Sequence, residues 1–268
     1  MTAYAPVPLL LREDRDGVAA LVLNRSAQRN ALSDALIEAL DEEFARVGGD
    51  PSVRVVVLAA EGPAFSAGHD LKEMTAWRDR PDGGAAAFAG LFSRCSALMQ
   101  RIVALPQPVI AAVEGVATAA GCQLVASCDL AVAGADARFA TPGVQIGLFC
   151  STPMVALSRA VPRKAAMAML LTGDAVGADE ARQLGLVSHV APAGEARARA
   201  DALARGIAAR SGLTVRVGKR AFYEQVEMPL AEAYAHASRV MAENMMARDA
   251  NEGIRAFVER RAPTWQDR

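Results

Sequence analysis

Val53-Arg54-Val55-Val56-Val57-Leu58-Ala59 is the stretch that decides the fold: a β-branched run of strand length, closed by Glu61-Gly62-Pro63. Upstream of it, Leu36, Ile37, Leu40, Phe44 and Val47 keep helical spacing from an N-cap at Ser33 to a stop at Gly48-Gly49. Before that helix, Gly17 to Leu23 reads as a buried strand following another at Val7 to Leu11, with Asn24 to Asn30 as a polar turn. Downstream the scheme repeats. A helical region within Ala85 to Leu105 ends at Pro106-Gln107-Pro108, a strand covers Val109 to Val113, and the small residues Gly115 to Gly121 lead into another helix. Leu130 to Ala133 and Arg138 to Ala140 read as short strands, Pro153 to Ser158 and Arg163 to Leu171 as helices. Alternating strands and helices predict an α/β core. From Ala196 the chain turns helical and rich in Ala and Arg, with breaks expected at Gly212, Pro229 and Asn251-Glu252-Gly253. The expected division is a core over residues 1–195 and a helical region over 196–268, which finishes the core or forms an oligomer contact.

Composition narrows the function. Among 268 residues, 29 Lys and Arg face 30 Asp and Glu, so there is no global field for wrapping nucleic acid and any anion must be held locally. Cys95, Cys122, Cys128 and Cys150 form no Cys-x-x-Cys pair, and the N-terminal stretch lacks the pattern of a secretory signal. Reduced thiols in a cytoplasmic protein are expected. The uncharged stretch Phe139 to Ser158 has the length of a membrane span but holds Pro142, Gly143, Gly147 and Pro153, so a loop-rich buried segment and no span is expected. His69, His189 and His236 show no metal-ligand spacing, and no metal site is expected. Gly-x-Gly-x-x-Gly is absent, Gly212 to Lys219 misses the phosphate loop, and Ser66 lacks the glycine a nucleophile elbow requires.

Two small-residue loops after strands remain: Ala64-Phe65-Ser66-Ala67-Gly68-His69-Asp70-Leu71-Lys72-Glu73-Met74 and Gly115-Val116-Ala117-Thr118-Ala119-Ala120-Gly121-Cys122-Gln123-Leu124. Small side chains let a ligand approach the backbone, and a helix starting near Ala119 to Gly121 would point free N–H groups at an anion. Two such loops around one oxygen make an oxyanion hole. Small-residue turns also serve close packing, and pattern alone favours that blander use.

The residues themselves resemble the crotonase (enoyl-CoA hydratase/isomerase) superfamily over essentially the whole chain. Asn24-Arg25 with Asn30-Ala31-Leu32 is similar to its first CoA-contacting turn, Phe65 to Met74 to its first oxyanion loop, and Pro108-Val109-Ile110-Ala111-Ala112-Val113 with Gly115 to the strand before the second. Leu171-Thr172-Gly173-Asp174, Ala181 with Leu184-Gly185-Leu186-Val187, and the terminal run from Glu252 to Arg261 stand at the family's usual places. The resemblance implies a spiral of repeated ββα units with a C-terminal helical trimerisation region, assembled as a homotrimer or hexamer. It implies an acyl-CoA thioester as substrate or ligand, with no separate cofactor. By position, the backbone N–H groups of His69 and Ala120 would hold the thioester oxygen and stabilise an enolate. Arg25, Gln28, Arg29 and Ala31 on the first turn, and Ala67, His69, Asp70, Leu71 and Lys72 on the first loop, would contact CoA, with Arg25 and Lys72 near its phosphates. Phe257 and Arg261 would reach a neighbouring subunit's CoA, or serve as ordinary terminal-helix residues.

The sequence also departs from the family. Its hydratases place and split water with two glutamates, where this chain has Gln123 and Gly143. A glutamine hydrogen-bonds water but takes no proton from it, and glycine has no side chain. Ser151, Cys150 and the His69 imidazole are the candidate substitutes, each with a packing alternative, while Asp70, Glu73 and Asp129 read as structural. Gly143 and its surroundings resemble a divergent branch of the family. The expected function is an acyl-CoA-binding enzyme, nominally an enoyl-CoA hydratase or isomerase with an altered proton-transfer set. Its rivals are an acyl-CoA-binding protein without turnover, and a decarboxylase or hydrolase of CoA thioesters. If only the acid/base pair is missing, Gln123→Glu with Gly143→Glu creates or raises hydratase activity, read as loss of enoyl-thioester absorbance.

Overall fold

A computed structural model describes residues 7–268; the first six, part of the stretch read for a secretory signal, lie outside the described residues. Strands β1 (Leu10–Arg15) and β2 (Val18–Leu23) pair antiparallel. Ser33 then caps α1 (Asp34–Gly48) by accepting the Leu36 N–H at 3.3 Å, and α1 leads to β3 (Val55–Ala60). From β3 the chain winds as a spiral, each turn made of one strand in a large sheet, a sharp corner, a short strand in a second sheet, and helix. The first turn is β3, β4 (Ala64–Ser66), α2 (Leu71–Trp77) and α3 (Ala85–Ala104). The second is β5 (Val109–Val113), β6 (Val116–Thr118) and α4 (Ala120–Ser127). The third is β7 (Leu130–Gly134), β8 (Arg138–Ala140), α5 (Pro153–Ala160) and α6 (Arg163–Thr172), followed by β9 (Val176–Gly177), α7 (Ala178–Leu184) and β10 (His189–Ala191). The large sheet has the order β1-β2-β3-β5-β7-β10 and the small one β4-β6-β8-β9. All pairs are parallel except β1 with β2 and β8 with β9. This is the repeated ββα spiral the sequence pointed to.

The corners explain why glycine recurs between paired strands. Gly115 has φ +64° and lies against the Pro63 carbonyl, where any Cβ would overlap that oxygen. One corner therefore stacks directly on the previous one. Gly134 leaves room in the same way for the Glu114 carboxylate, which accepts the Ala196 N–H at 2.8 Å at the start of α8 (Ala196–Ala208).

Both faces of β3 are buried, which is why its sequence is a continuous apolar run. Val56 and Leu58 join an inner core with Leu36, Phe44, Phe65 and Phe139. Val55 and Val57 face outward with Val18, Ile110 and Val132 and are covered by Ala196, Ala200 and Ala204 of α8. The chain ends in α9 (Gly212–Gln225), α10 (Leu230–Met245) and α11 (Arg248–Glu259). Gly212 and Pro229 do mark boundaries, but Asn251-Glu252-Gly253 lies inside α11, where Gly253 packs against the Trp265 ring. The first strand begins at Leu10 rather than Val7; its charged residues belong to an exposed sheet edge.

Helix α9 is fastened to the core by one buried cation. Lys219 Nζ lies 2.7 Å from Asp129 Oδ2 and donates to the carbonyls of Ile102 and Gln107, each at 3.0 Å. The same Asp129 oxygen accepts the Val109 N–H at 2.7 Å, so the aspartate has the structural role expected of it. With the Lys219 side chain only 6 % exposed, removing it leaves a nearly buried carboxylate without its cation. Lys219→Met is expected to cost about 3–5 kcal/mol in a denaturant titration, part of which returns in the Lys219→Met, Asp129→Asn double variant.

Candidate active site

The site is assembled around Asn30, a fully buried residue with φ +51°. Its side-chain amide donates to the carbonyls of Glu61 and Ala64 at 2.8 Å each, while its oxygen accepts the Arg25 N–H at 2.8 Å. The Ser66 hydroxyl donates to the Asn30 carbonyl at 2.9 Å, and Ala67 N–H to that of Arg29 at 3.0 Å. Leu32 N–H then reaches the Gly68 carbonyl at 2.8 Å. The turn bearing Gln28, Arg29 and Ala31 and the loop bearing Ala67, His69 and Asp70 thus run edge to edge. Gln28, Arg29, Ala67, Leu71 and Lys72 are exposed along this seam.

Arg25 is engaged within the seam. Its guanidinium binds the Ala31 carbonyl and lies 3.0 Å from Asp70 Oδ2. Asp70 in turn caps α2, accepting the N–H groups of Lys72 and Glu73, and Glu73 accepts the Asp34 N–H at 3.0 Å. Burial works to raise the Asp70 pKa, but Arg25 and the two N–H groups hold it below the usual carboxylate range. Lys72 forms no ion pair among the described residues.

Two backbone segments meet beside this seam. A Cβ on Gly68, at φ +87°, would stand 2.9 Å from Ala119 Cβ and 3.4 Å from Ala120 N. One on Gly121 would overlap the Ser66 carbonyl. Small residues at both positions therefore do serve close packing, and that packing sets the first loop against the start of α4. Ala119 takes φ +50° and ψ −117°, a conformation costly for an L-residue by about 1–3 kcal/mol, and its N–H donates to Ala140 at 2.9 Å. Among the described residues neither the His69 N–H nor the Ala120 N–H has a protein acceptor. Two unpaired donors on touching segments, one at the positive end of a helix, can stabilise a developing oxyanion.

The side chains around them are buried and largely unpartnered. The His69 ring packs edge-on to Phe92 with centroids 5.5 Å apart, both its nitrogens lack partners, and burial pushes its pKa down. Gln123 is 4 % exposed with its amide oxygen unpartnered, and with Ser151 it borders a cavity of about 1090 Å³ between α3, α4, α5 and α9. Thr141, fully buried just after β8, also has an unpartnered hydroxyl. The sequence reading missed Thr141, because a lone threonine carries no chemistry by itself; its nearness to the second loop comes from the Ala119 N–H bond to the Ala140 carbonyl, a contact between segments far apart in the chain.

Gly143 alters the expectation that two glutamates can simply be restored. A Cβ there would stand 2.6 Å from the Leu148 carbonyl and 2.9 Å from Cys150 Sγ, and Leu148 N–H already donates to the Gly143 carbonyl at 2.9 Å. The turn from Leu148 to Cys150 fills the space a side chain would need. Gly143→Glu is therefore a packing change as well as a chemical one. Burial pushes the Cys150 thiol up, which keeps it protonated at neutral pH. Ser151 is exposed, its hydroxyl directed at the Phe149 carbonyl 3.4 Å away. Phe257 on α11 is 85 % exposed, and Arg261, just past the end of that helix, is paired with Glu252 and Glu259 of its own chain. No group of three His, Cys, Asp or Glu among the described residues is placed to hold a metal.

The family model for enoyl-CoA hydratase/isomerase matches residues 13–268, and the chain belongs to that family. The human mitochondrial enoyl-CoA hydratase domain-containing protein 3 is 47 % identical over 250 residues, covering 93 % of this chain and 81 % of that protein. Its Xenopus laevis counterpart is 46 % identical over 258 residues, covering 96 % and 86 %. The crystal structure of the human protein superposes with a TM-score of 0.91 at 44 % identity, covering 96 % of this chain and all of that one. An enoyl-CoA hydratase from Mycobacterium smegmatis superposes at 0.92 with 52 % identity, covering 97 % and 99 %. The divergent branch expected from the sequence is thus the one matched. The cytoplasmic expectation is corrected: relatives from frog, rat, human, mouse and zebrafish are named mitochondrial. Unpaired cysteines report a reducing environment and do not distinguish one reducing compartment from another.

His69 makes stability depend on pH. Because its folded-state pKa lies below the ordinary value of 6.5, the unfolded chain binds more protons in that window, and stability falls as pH drops through it. Thermal unfolding from pH 7.5 to 5 is expected to show a falling Tm, with a shallower fall in His69→Gln.

Proposed function

We propose that this protein binds acyl-CoA thioesters and stabilises negative charge on the thioester oxygen through the backbone N–H groups of His69 and Ala120. It is nominally an enoyl-CoA hydratase or isomerase with an altered proton-transfer set. The observation that carries this reading is the pair of unpaired N–H groups on touching segments. In the thioester the carbonyl oxygen is neutral; in the enolate it is anionic, so donors fixed beforehand favour the second state over the first. The exposed seam of Gln28, Arg29, Ala67, Leu71 and Lys72 offers a surface beside that site for the CoA moiety, with Lys72 for its phosphates. CoA arrives as part of the substrate, and no separate cofactor is needed.

Hydration across the double bond needs a base for the water proton and an acid at C2. Gln123 supplies neither, and Gly143 has ceded its space to Cys150. Among the substitutes, Cys150 is held as a thiol and Ser151 is exposed, whereas the buried His69 ring stays neutral at pH 7 and has a free nitrogen to accept a proton. The filled space at Gly143 favours a second reading, an acyl-CoA-binding protein without turnover.

Assembly as a trimer or hexamer accompanies the first reading. Leu230, Tyr234 and Met241 on α10 and Ile254, Phe257 and Val258 on α11 are half to four-fifths exposed, apolar surface suited to contact with other copies.

A panel of 2-enoyl-CoAs, followed by loss of the conjugated thioester absorbance, tests the reading together with calorimetric titration of CoA. Binding is expected, with hydration slower than an ordinary hydratase's by about 10²- to 10⁴-fold for each lost acid/base role. Turnover at ordinary rates overturns the argument from Gln123 and Gly143, and absence of any CoA or thioester binding overturns the proposal itself.

A further inference from the structure

We infer that the ion pair between Arg25 and Asp70 positions the His69 N–H as an oxyanion donor, and that Arg25 is a positioning residue rather than a ligand of the CoA phosphates. This rests on the oxyanion reading and adds to it the side chains that aim one donor. Backbone makes the first contact. Leu32 and His69 face each other in an isolated parallel bridge, the Leu32 N–H reaching the Gly68 carbonyl at 2.8 Å and the Asp70 N–H the Leu32 carbonyl at 3.2 Å. In such a pairing the residue between the two bonded neighbours directs its own N–H to the opposite edge. His69 is that residue, so the bridge turns its N–H away from Leu32, where among the described residues no protein acceptor meets it.

A bridge of one residue pair is a weak clamp, and Arg25 adds a further link across it. One guanidinium nitrogen donates to the carbonyl of Ala31, just before Leu32, and another lies 3.0 Å from Asp70 Oδ2, just after His69. The guanidinium is planar and rigid, so these two acceptors are held at a fixed separation. The side chains of Arg25 and Asp70 are 16 % and 15 % exposed, which leaves water little access to compete for the charge-assisted bond. Arg25 is itself anchored, its N–H bonded to the Asn30 side chain at 2.8 Å and its carbonyl to the Asn30 N–H at 3.0 Å. Beyond it, Asp70 Oδ1 accepts the N–H groups of Lys72 and Glu73 at 3.1 and 3.3 Å. The cation thus ties the first turn to the start of α2, with His69 between them.

Precision is what an oxyanion donor needs, since a misplacement of about 1 Å can cost about 10²-fold in rate. A phosphate that recruited Arg25 would strip a largely buried Asp70 of its cation, a costly exchange. Lys72, exposed and without an ion pair among the described residues, is free for that contact.

Infrared difference spectra of the intact protein with 2-butenoyl-CoA, isotope-labelled at the thioester carbonyl, test the inference alongside calorimetric titration of CoA. Hydrogen bonds weaken the C=O bond, so the bound carbonyl band is expected below that of the free thioester. Arg25→Met should return the band about halfway or more to the free position, while CoA affinity stays within about threefold of the wild type. Asp70→Asn, which keeps a cap for α2 and loses only the ion pair, should do the same and carries the test where Arg25→Met does not fold. A wild-type band position in every variant that folds overturns this inference alone. So does a CoA affinity about tenfold or more weaker in Arg25→Met, which would make Arg25 a phosphate contact. A wild-type protein that binds the thioester without lowering its band, or binds none, overturns the oxyanion reading and this inference with it.

Discussion

The geometry of the candidate site depends on how closely the successive turns of the spiral approach one another. Gly115 lies under the Pro63 carbonyl, Gly68 against Ala119, and Gly121 against Ser66, three contacts that admit no Cβ. A side chain at any of them would push the first loop off the start of α4 and separate the two unpaired N–H groups. Asn30 completes the constraint from the other side, replacing a length of sheet with two side-chain hydrogen bonds to the Glu61 and Ala64 carbonyls, while a third closes the turn on itself at Arg25. The backbone is brought close enough to act on a ligand atom because side chains have been removed from where the segments cross.

The same logic explains the divergence of the acid/base pair. At Gly143 the space beside the backbone is taken by the turn from Leu148 to Cys150, through the Leu148 carbonyl and the Cys150 sulfur. The position is thus packed and not vacant, and it bears on one of two separable requirements: holding an anionic oxygen needs only backbone, whereas moving protons needs side chains. The backbone arrangement the first would need, two unpaired N–H groups on touching segments, is present here. For the second, the buried side chains with unpartnered polar atoms here, Gln123, Thr141 and His69, include no carboxylate.

Legibility from sequence followed burial. β3 and β5 were readable because both of their faces are buried, leaving unbroken apolar runs, and α1 because a true cap stands at Ser33. β4, β6, β9 and β10 were not, although the equally short β8 was: two or three residues show no periodicity, and their pairing is decided by strands distant in the chain. β1 was misplaced because a charged edge strand hides its alternation, and the break assigned to Asn251-Glu252-Gly253 failed because Gly253 makes room for Trp265 instead of ending a helix. At the site, the two loops could be found from their small residues. Arg25's engagement with Asp70, the unpartnered Thr141 and the filled space at Gly143 could not, because each is a relation between segments far apart in sequence.

The ion pair between Lys219 and Asp129 has a mechanical meaning beyond stability. Phe222 and Val226 stand one and two turns along α9 from Lys219, and Asp129 is bonded to the first residue of β5 at the root of the large sheet. One side of the groove along α4 is therefore fastened to the large sheet. Load placed on Phe222 and Val226 is thus passed through one buried cation to the strand ends and helix end that Lys219 and Asp129 bind.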